Sequence, residues 1–313
     1  MLRLAEHPDP VPGPGEVLVE LRAAALNRRD TYLRTGLGPA YDFPLPLILG
    51  SDGAGVRRDT GEEVVILPSL RWGPSETVAG PDFQILGGPT DGTYAELVAV
   101  PEANVFGKPP GLSWEEAAAL PLAALTAYRA LFPVGGLRAG EWVVILGAGS
   151  GVSLAAIQLA LHAGARVAVT SSTGEKLRRA TELGASVAVS YLDEDWPDAL
   201  IDATGGADVV LDSIGSTWPQ SLTVLSRGGR LVAFGATGGG EATLDVRRLY
   251  LQQKRVLGTM MGSPKDFAEL LALVDDGAMR PIVDSVRPLE QAASAHERIA
   301  SGRHFGKVVL AVG

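Results

Sequence analysis

The alternation of apolar and polar positions divides the chain into two textures. In residues 16–22, Val17, Val19 and Leu21 alternate with Leu18, Glu20 and Arg22, the two-residue period of a strand with one buried face. Further short strands are predicted at 62–67 and 93–100. Residues 8–15 carry four prolines and two glycines and exclude both helix and inner strand. No stretch of helical length and period intervenes, so the first third predicts a small, irregular β lobe. From Ser113 the period changes. Ser113, Glu115 and Glu116 mark a helix start, and an Ala/Leu-rich helical stretch runs to Phe132 with Pro121 interrupting it. Strands then alternate with helical segments, at 142–146, 166–170, 187–190, 209–212, 230–234 and 256–260. Six such strands predict a doubly wound parallel sheet that binds its ligand at the C-terminal strand ends. The tail predicts a helix at 264–276, a strand at 282–286, a helix at 289–301 and a strand at 307–312. The class is α/β.

Composition narrows the picture. At 313 residues with 46% apolar content, two domains sharing a cleft are expected. A net charge of −9 disfavours nucleic acid. The absence of cysteine excludes disulfides, thiolate chemistry and cysteine-ligated zinc. No run of 18 apolar residues suggests a membrane span, and no apolar leader opens the chain, so the cytoplasm is the expected location.

Chemistry concentrates after the apolar run at 142–146. Gly147, Gly149 and Gly151 form a tight turn, and from Ser153 a helix begins. A strand, a glycine turn and a helix N-terminus make an anion site, with a nucleotide pyrophosphate as natural occupant. The literal pattern is G-x-G-x-G, which also suits methyltransferases using S-adenosylmethionine, or a turn that binds nothing. A NAD site wants an acid about 20 residues later to hold the ribose. None stands there. Ser171 and Ser172 offer hydroxyls, and Lys176 with Arg178 or Arg179 offers positive charge, which suits the 2′-phosphate of NADPH. The competing reading makes those cations the solvated face of a helix.

The chain resembles the medium-chain dehydrogenase/reductase superfamily, and within it the zinc-free branch of NADPH:quinone oxidoreductases and enone reductases. The resemblance is carried by residues 24–32, 49–55, 91–96, 120–128, 147–152, 211–215, 228–235 and 306–310, in order across nearly the whole chain. It implies a GroES-like β lobe (1–117 with 263–313), a Rossmann domain (118–262) and an active site between them. Two departures are Ser150 and Ser153, where family members carry glycine. A further departure is at the start: the family normally has another strand before the segment at Leu2, so the chain is expected either to begin late or to have lost an edge strand.

Zinc enzymes of the superfamily carry ligands where Asn27, Ser51, Asp52 and Leu122 stand, so the resemblance implies no catalytic zinc; a lone carboxylate does not hold the metal. Residues 72–88 look like the lobe that elsewhere carries four structural cysteines. The histidines His7, His162, His296 and His304 are scattered and expected to be surface or helix residues.

The resemblance nominates Asn27, Tyr32 and Thr126 as catalytic. It nominates Gly147, Gly149, Ser150, Gly151, Val152, Ser171, Ser172, Lys176, Tyr191, Ser213, Phe234, Gly235 and Lys307 as cofactor-binding. The implied reaction is hydride transfer from NADPH to a quinone or an α,β-unsaturated carbonyl, with a metal-free alcohol or aldehyde oxidoreductase and a non-catalytic NADPH sensor as alternatives. The implied assembly is a homodimer through the strand at 256–260, whose edge would otherwise be unpaired. A loop at 35–43 would shape the pocket, and Gly38 stands near the place of a second tyrosine that the family often carries.

Overall fold

The computed structural model describes residues 2–36, 41 and 43–313. Of the loop at 35–43, residues 37–40 and 42, Gly38 among them, lie outside the described residues. The chain divides into two compact units, Met1–Leu125 with Gly262–Gly313, and Thr126–Met261.

The first unit opens with β1 (Glu16–Ala25), α1 (Arg28–Thr35), β2 (Asp52–Arg57) and β3 (Glu63–Ile66). It continues with β4 (Ser69–Leu70), β5 (Gln84–Ile85), β6 (Leu97–Pro101), β7 (Val105–Gly107) and α2 (Trp114–Ala119), and α3 (Pro121–Leu131) begins in the first unit and ends in the second. Helix α1 corrects the expectation of a helix-free first third. Its sequence, RRDTYLRT, has no apolar stripe to read; what starts it is a capping box of Asn27 and Asp30, and Gly36 ends it at φ 67°. Pro121 does not merely bend the predicted helix at 113–132 but separates α2 from α3, as a residue lacking an N–H does. Because α2 packs on β1 and β2, the first unit extends to Leu125, past the expected boundary at 117.

The second unit alternates strictly. Strand β8 (Trp142–Ile145) leads to α4 (Gly151–His162), β9 (Arg166–Ser171), α5 (Gly174–Glu182), β10 (Val187–Ser190), α6 (Trp196–Thr204) and β11 (Ala207–Asp212). Then come α7 (Trp218–Val224), β12 (Leu225–Ala233), α8 (Val246–Leu251) and β13 (Arg255–Gly258). All six strands are parallel, in the order β10-β9-β8-β11-β12-β13. The order in which successive strands are added reverses between β8 and β11, the switch point at which such sheets bind ligands. The apolar runs are legible because these strands are buried on both faces: Val143, Val144 and Val167–Val169 are all sealed from solvent. Strand β12 starts at Leu225, five residues ahead of the expected 230, and β13 is shorter than the expected 256–260.

The chain then returns to the first unit with α9 (Pro264–Asp275), β14 (Val283–Pro288), α10 (Ala292–Ala300) and β15 (Lys307–Ala311). Among the described residues the first unit's main sheet has seven strands, ordered β14-β15-β1-β2-β3-β7, with β6 also paired to β1. Strand β1 is its spine. Its first half pairs with β6 and its last residues with β15, while β2 runs along its other side. Val19, Leu21, Val64, Ile66 and Val100 pack one core here, and Leu26, Ala295, Ile299 and Leu310 another.

The lobe at 72–88, expected to carry cysteine replacements, is held by apolar contacts. Trp72 meets Phe83 edge to face at 5.6 Å, its indole N–H donates to the Ser75 carbonyl at 2.7 Å, and Leu70 and Leu86 enter the sheet core.

Candidate active site

Strand register assembles the first part of the site. The end of β1 is flanked by β2 on one side, with Ala25 opposite Asp52, and by β15 on the other, with Ala25 opposite Val309. Asn27, Asp52 and Lys307 thereby become neighbours although 280 residues separate the first from the last. The Lys307 Nζ donates to Asn27 Oδ1 at 2.6 Å and to Asp52 Oδ2 at 2.7 Å. Asn27 Nδ2 donates to the same Asp52 oxygen at 2.9 Å, and the other Asp52 oxygen accepts the Leu122 N–H at 2.8 Å. Asp52 is sealed, while Lys307 retains 5% and Asn27 8% of its surface. Lys307, nominated for the cofactor from sequence, is thus committed by two of its bonds to Asn27 and Asp52. Nothing local in the sequence pairs these residues; only the β1–β15 register does.

This donor set does not fit zinc. Among the described residues no three His, Cys, Asp or Glu side chains stand together as metal ligands. At the positions compared above with zinc ligands, Ser51 is bound to Leu86 and Arg29, Leu122 offers a backbone N–H, and Asp52 is bonded to an ammonium.

A second buried layer supports Asn27. The Asp30 carboxylate accepts the Asn27 backbone N–H and the Tyr94 hydroxyl, each at 2.8 Å. Burial pushes the Asp30 carboxyl up, with Arg29 pulling against it, and burial also pushes the Tyr94 hydroxyl well above its ordinary value. Tyr94 meets the His296 ring edge-on at 5.9 Å. His296 is fully buried on α10, and burial, with Arg34 adding repulsion, lowers it to about 4. His304 is also buried, outside any helix or strand, which corrects the expectation that every histidine is a surface or helix residue. Tyr32, on α1, is half-buried, and desolvation raises its hydroxyl, so it stays protonated at neutral pH. Its ring lies edge-on to Tyr41 at 5.5 Å, an aromatic partner that sequence reasoning missed.

In the second unit the turn after β8 is built as an anion cradle. Gly147 has φ 72° and Gly149 φ 124°, conformations open to glycine, whereas Gly151 is already helical. No atom lies within 4 Å of where a Gly147 side chain would begin. Ser150 is the N-cap of α4 and accepts the Ser153 N–H at 3.1 Å. Ser153, 2% exposed, donates to the Leu146 and Gly147 carbonyls. The two serines that depart from the family pattern therefore tie the turn to its helix. Val152, in the first turn of α4, is half-buried.

The end of β9 reinforces the cradle. Ala148 N–H donates to the Thr170 carbonyl at 2.7 Å, and the Ser171 hydroxyl donates to the Ala148 carbonyl at 2.8 Å. Ser171 is 2% exposed, so its hydroxyl braces the turn, while Ser172 is half-buried and more open. Lys176 lies over Gly149: a side chain there would begin 3.0 Å from its Cδ and 3.3 Å from its Nζ. Tyr191, past β10, is 41% exposed. Ser213 follows β11, where buried Asp212 accepts the N–H groups of Ile214 and Gly215 and the hydroxyls of Thr217 and Ser221. Gly235 passes so close to Ser213 that a Cβ would sit 3.0 Å from its carbonyl, and Phe234 N–H donates to the Asp212 carbonyl. Thr126, on α3, is 5% exposed. The glycine turn, Lys176 and the Asp212 loop all lie at C-terminal strand ends, where a dinucleotide fits.

Residues 13–110 match the alcohol dehydrogenase GroES-like domain, and residues 151–276 match the zinc-binding dehydrogenase family. A zinc-type alcohol dehydrogenase-like protein of Schizosaccharomyces pombe is 36% identical, covering 96% of this chain and 91% of its own. A quinone oxidoreductase of Pseudomonas aeruginosa is 34% identical over 99% of this chain and 95% of its own. The crystal structure of an NAD-dependent alcohol dehydrogenase superposes with a TM-score of 0.93 at 43% identity, covering 99% of this chain and 95% of that one. With both domains matched and relatives aligned from end to end, the chain belongs to the medium-chain dehydrogenase/reductase superfamily and is an oxidoreductase.

Proposed function

We propose that this protein is a zinc-independent, NADPH-dependent reductase of quinones or α,β-unsaturated carbonyls. The observation that carries the reading is the Asn27–Asp52–Lys307 cluster, in which an ammonium and an amide occupy the neighbourhood of the only carboxylate left at the positions compared with zinc ligands. Without a Lewis acid, hydride addition to an isolated carbonyl leaves a localised alkoxide that few groups here stabilise. A conjugated acceptor spreads the charge, and hydrogen-bond donors suffice.

The chain's own residues divide the remaining work. The turn at Gly147–Val152 and the N-terminus of α4 hold the pyrophosphate, and Lys176 with Ser172 meets the 2′-phosphate where a NAD site would carry an acid. When bound, NADPH supplies the hydride. Thr126 orients the nicotinamide carboxamide, the backbone at Phe234 and Gly235 walls the ring, and Tyr191 and Ser213 border the cofactor. Asn27 takes the role of the family's polar residue for the nicotinamide, and Tyr32 donates to the acceptor oxygen or relays a proton, consistent with a hydroxyl held protonated by burial.

The test is NADPH oxidation by chelator-treated protein with 1,4-benzoquinones and 2-alkenones against saturated aldehydes. The proposal requires the conjugated acceptors to turn over faster. Faster turnover of saturated aldehydes supports a second reading, an alcohol or aldehyde oxidoreductase, which the names of the S. pombe protein and the 43% identical structure favour. Binding without turnover supports a sensor.

We further propose a cytoplasmic homodimer joined along β13. This is the edge strand of its sheet, and Tyr250, Leu251 and Met260 are 62%, 56% and 44% exposed beside it in the chain. A monomer mass by light scattering at micromolar protein contradicts the dimer.

A further inference from the structure

Arg29 is a largely buried cation that touches no acid among the described residues. Its Nη1 donates to the Ser51 hydroxyl at 2.6 Å and to the Leu86 carbonyl at 3.1 Å, and its Nη2 donates to the Gly88 carbonyl at 3.3 Å. All three partners are neutral oxygens. The acids that act on the guanidinium, Asp30 and Asp52, do so through space, without a hydrogen bond to it. Both are committed elsewhere, Asp30 to the Asn27 N–H and the Tyr94 hydroxyl, Asp52 to Lys307 and Asn27. Of the five N–H donors of a guanidinium, the three bonds leave one on Nε and one on Nη2.

Other buried cations of this chain are answered directly. Arg230 also holds two loop carbonyls, at Gly135 and Gly136, but it meets Glu141; Lys108 meets Glu63, and Lys307 meets Asp52. Lys254 lacks an acid too, yet its ammonium rests on the Leu222 carbonyl in the last turn of α7, the negative end of a helix. Arg29 has neither compensation. Clamping three neutral oxygens needs donors but no charge, and a buried charge without a counter-charge is costly.

The surroundings say what the counter-charge belongs to. Arg29 stands on α1 between Asn27 and Tyr32 and is within electrostatic reach of Tyr41, whose ring meets that of Tyr32. At Gly88, whose carbonyl Arg29 holds, a side chain would begin 3.1 Å from Leu33 and 3.2 Å from Phe43. The guanidinium thus shares a corner with the aromatic residues of α1 and of the loop after it. The whole chain bears a net charge of −9, yet α1, RRDTYLRT, carries three arginines against one acid, and none of the three forms an ion pair among the described residues. Positive charge concentrated on one helix of an acidic protein draws an anion to that helix.

We propose that Arg29 anchors the acceptor and that the preferred acceptor is a quinone or α,β-unsaturated carbonyl carrying a carboxylate, with Ser51, Leu86 and Gly88 holding the guanidinium in place. The proposal rests on the reductase reading above and names its substrate class. A carboxylate supplies the missing counter-charge and takes charge-assisted hydrogen bonds, which are stronger than neutral ones. Because three bonds already fix the cation, little side-chain freedom is lost when the ligand arrives.

The experiment has a binding arm and a kinetic arm, both on the full-length protein. The binding probes are 3-oxocyclohexanecarboxylate and its methyl ester, saturated ketones that match the products of a carboxylated 2-cyclohexenone and its ester. With the protein saturated with NADP⁺, calorimetry should show the carboxylate binding about 10-fold or more tightly than the ester. The carboxylate, but not the ester, should slow phenylglyoxal modification of Arg29, located by peptide mass spectrometry. Both readouts use the wild type, so neither depends on the folding of a variant.

In the kinetic arm the carboxylated 2-cyclohexenone and its methyl ester are the acceptors. Arg29→Gln should lower the carboxylate-to-ester ratio of kcat/KM by about 10- to 100-fold, chiefly through the KM of the carboxylate. Arg29→Lys, which restores the charge, should recover part of that ratio, and circular dichroism reports that each variant is folded. Equal binding of the two probes to the wild type, or an unchanged ratio in folded Arg29→Gln, overturns the proposal. So does a variant that loses NADPH affinity while keeping the ratio, which assigns Arg29 to the cofactor. A wild type that reduces neither enone defeats the reductase reading instead. In that event a carboxylate preference that disappears in Arg29→Gln still sustains the anion site, and its absence rejects it.

Discussion

Replacing His296 by Phe tests how the platform under Asn27 is held together. His296 is fully buried on α10 with both ring nitrogens unpartnered among the described residues, and it meets the Tyr94 ring edge-on. Tyr94 in turn donates to Asp30, which holds the Asn27 backbone. Burial keeps the imidazole neutral down to about 4, whereas the unfolded chain takes up its proton near the ordinary value of 6.5. Between these values the unfolded state binds more protons, so stability rises with pH. The contribution is complete above about 6.5 and is lost as pH falls toward 4. At about 1.4 kcal/mol per pH unit, the loss amounts to about 3 kcal/mol. Asp30 acts in the opposite sense, because its raised carboxyl favours the folded state at low pH, but wild type and variant share it.

The assay is urea unfolding of both proteins from pH 8 to pH 4. His296→Phe retains a ring edge for Tyr94 and removes two unsatisfied nitrogens, so near pH 8 it should lie within about 1 kcal/mol of the wild type. The difference should then grow by about 3 kcal/mol in the variant's favour on acidification. Parallel pH dependences would refute the assignment of a neutral, desolvated His296. So would a wild type that gains stability on the variant as pH falls.

Two further outcomes concern the nucleotide. Lys176→Ala should weaken NADPH by about 10-fold or more, as expected for loss of a charge-assisted phosphate contact, with NADH little changed in a fluorescence titration. Gly149→Ala should cost about 1–3 kcal/mol of stability through its positive φ and, by pushing Lys176 aside, also weaken NADPH; thermal unfolding and the same titration read both effects.

The parallel sheet was legible because its strands are continuous apolar runs such as Trp142–Ile145, and the glycine turn because positive φ at Gly147 and Gly149 demands that residue. Helix α1 was not, since its eight residues are mostly polar and its start depends on the Asn27–Asp30 capping box. The role of Lys307 was hidden for another reason: its partners lie 255 and 280 positions away and reach it only through the pairing of β1 with β2 and β15. His296 reads as one residue of an ordinary amphipathic helix; its burial against Tyr94 is a tertiary fact. Ser150 and Ser153 look like damage to a glycine motif until their hydroxyls are seen capping α4 and closing onto the end of β8.

Hydride transfer to a conjugated carbon without help from a metal can be followed by reducing a 2-alkenone with NADPH deuterated at the transferable position, in the presence of a chelator, and locating the label by NMR. The expected product is a saturated ketone with deuterium on the β-carbon. An allylic alcohol carrying deuterium on the carbinol carbon would contradict it.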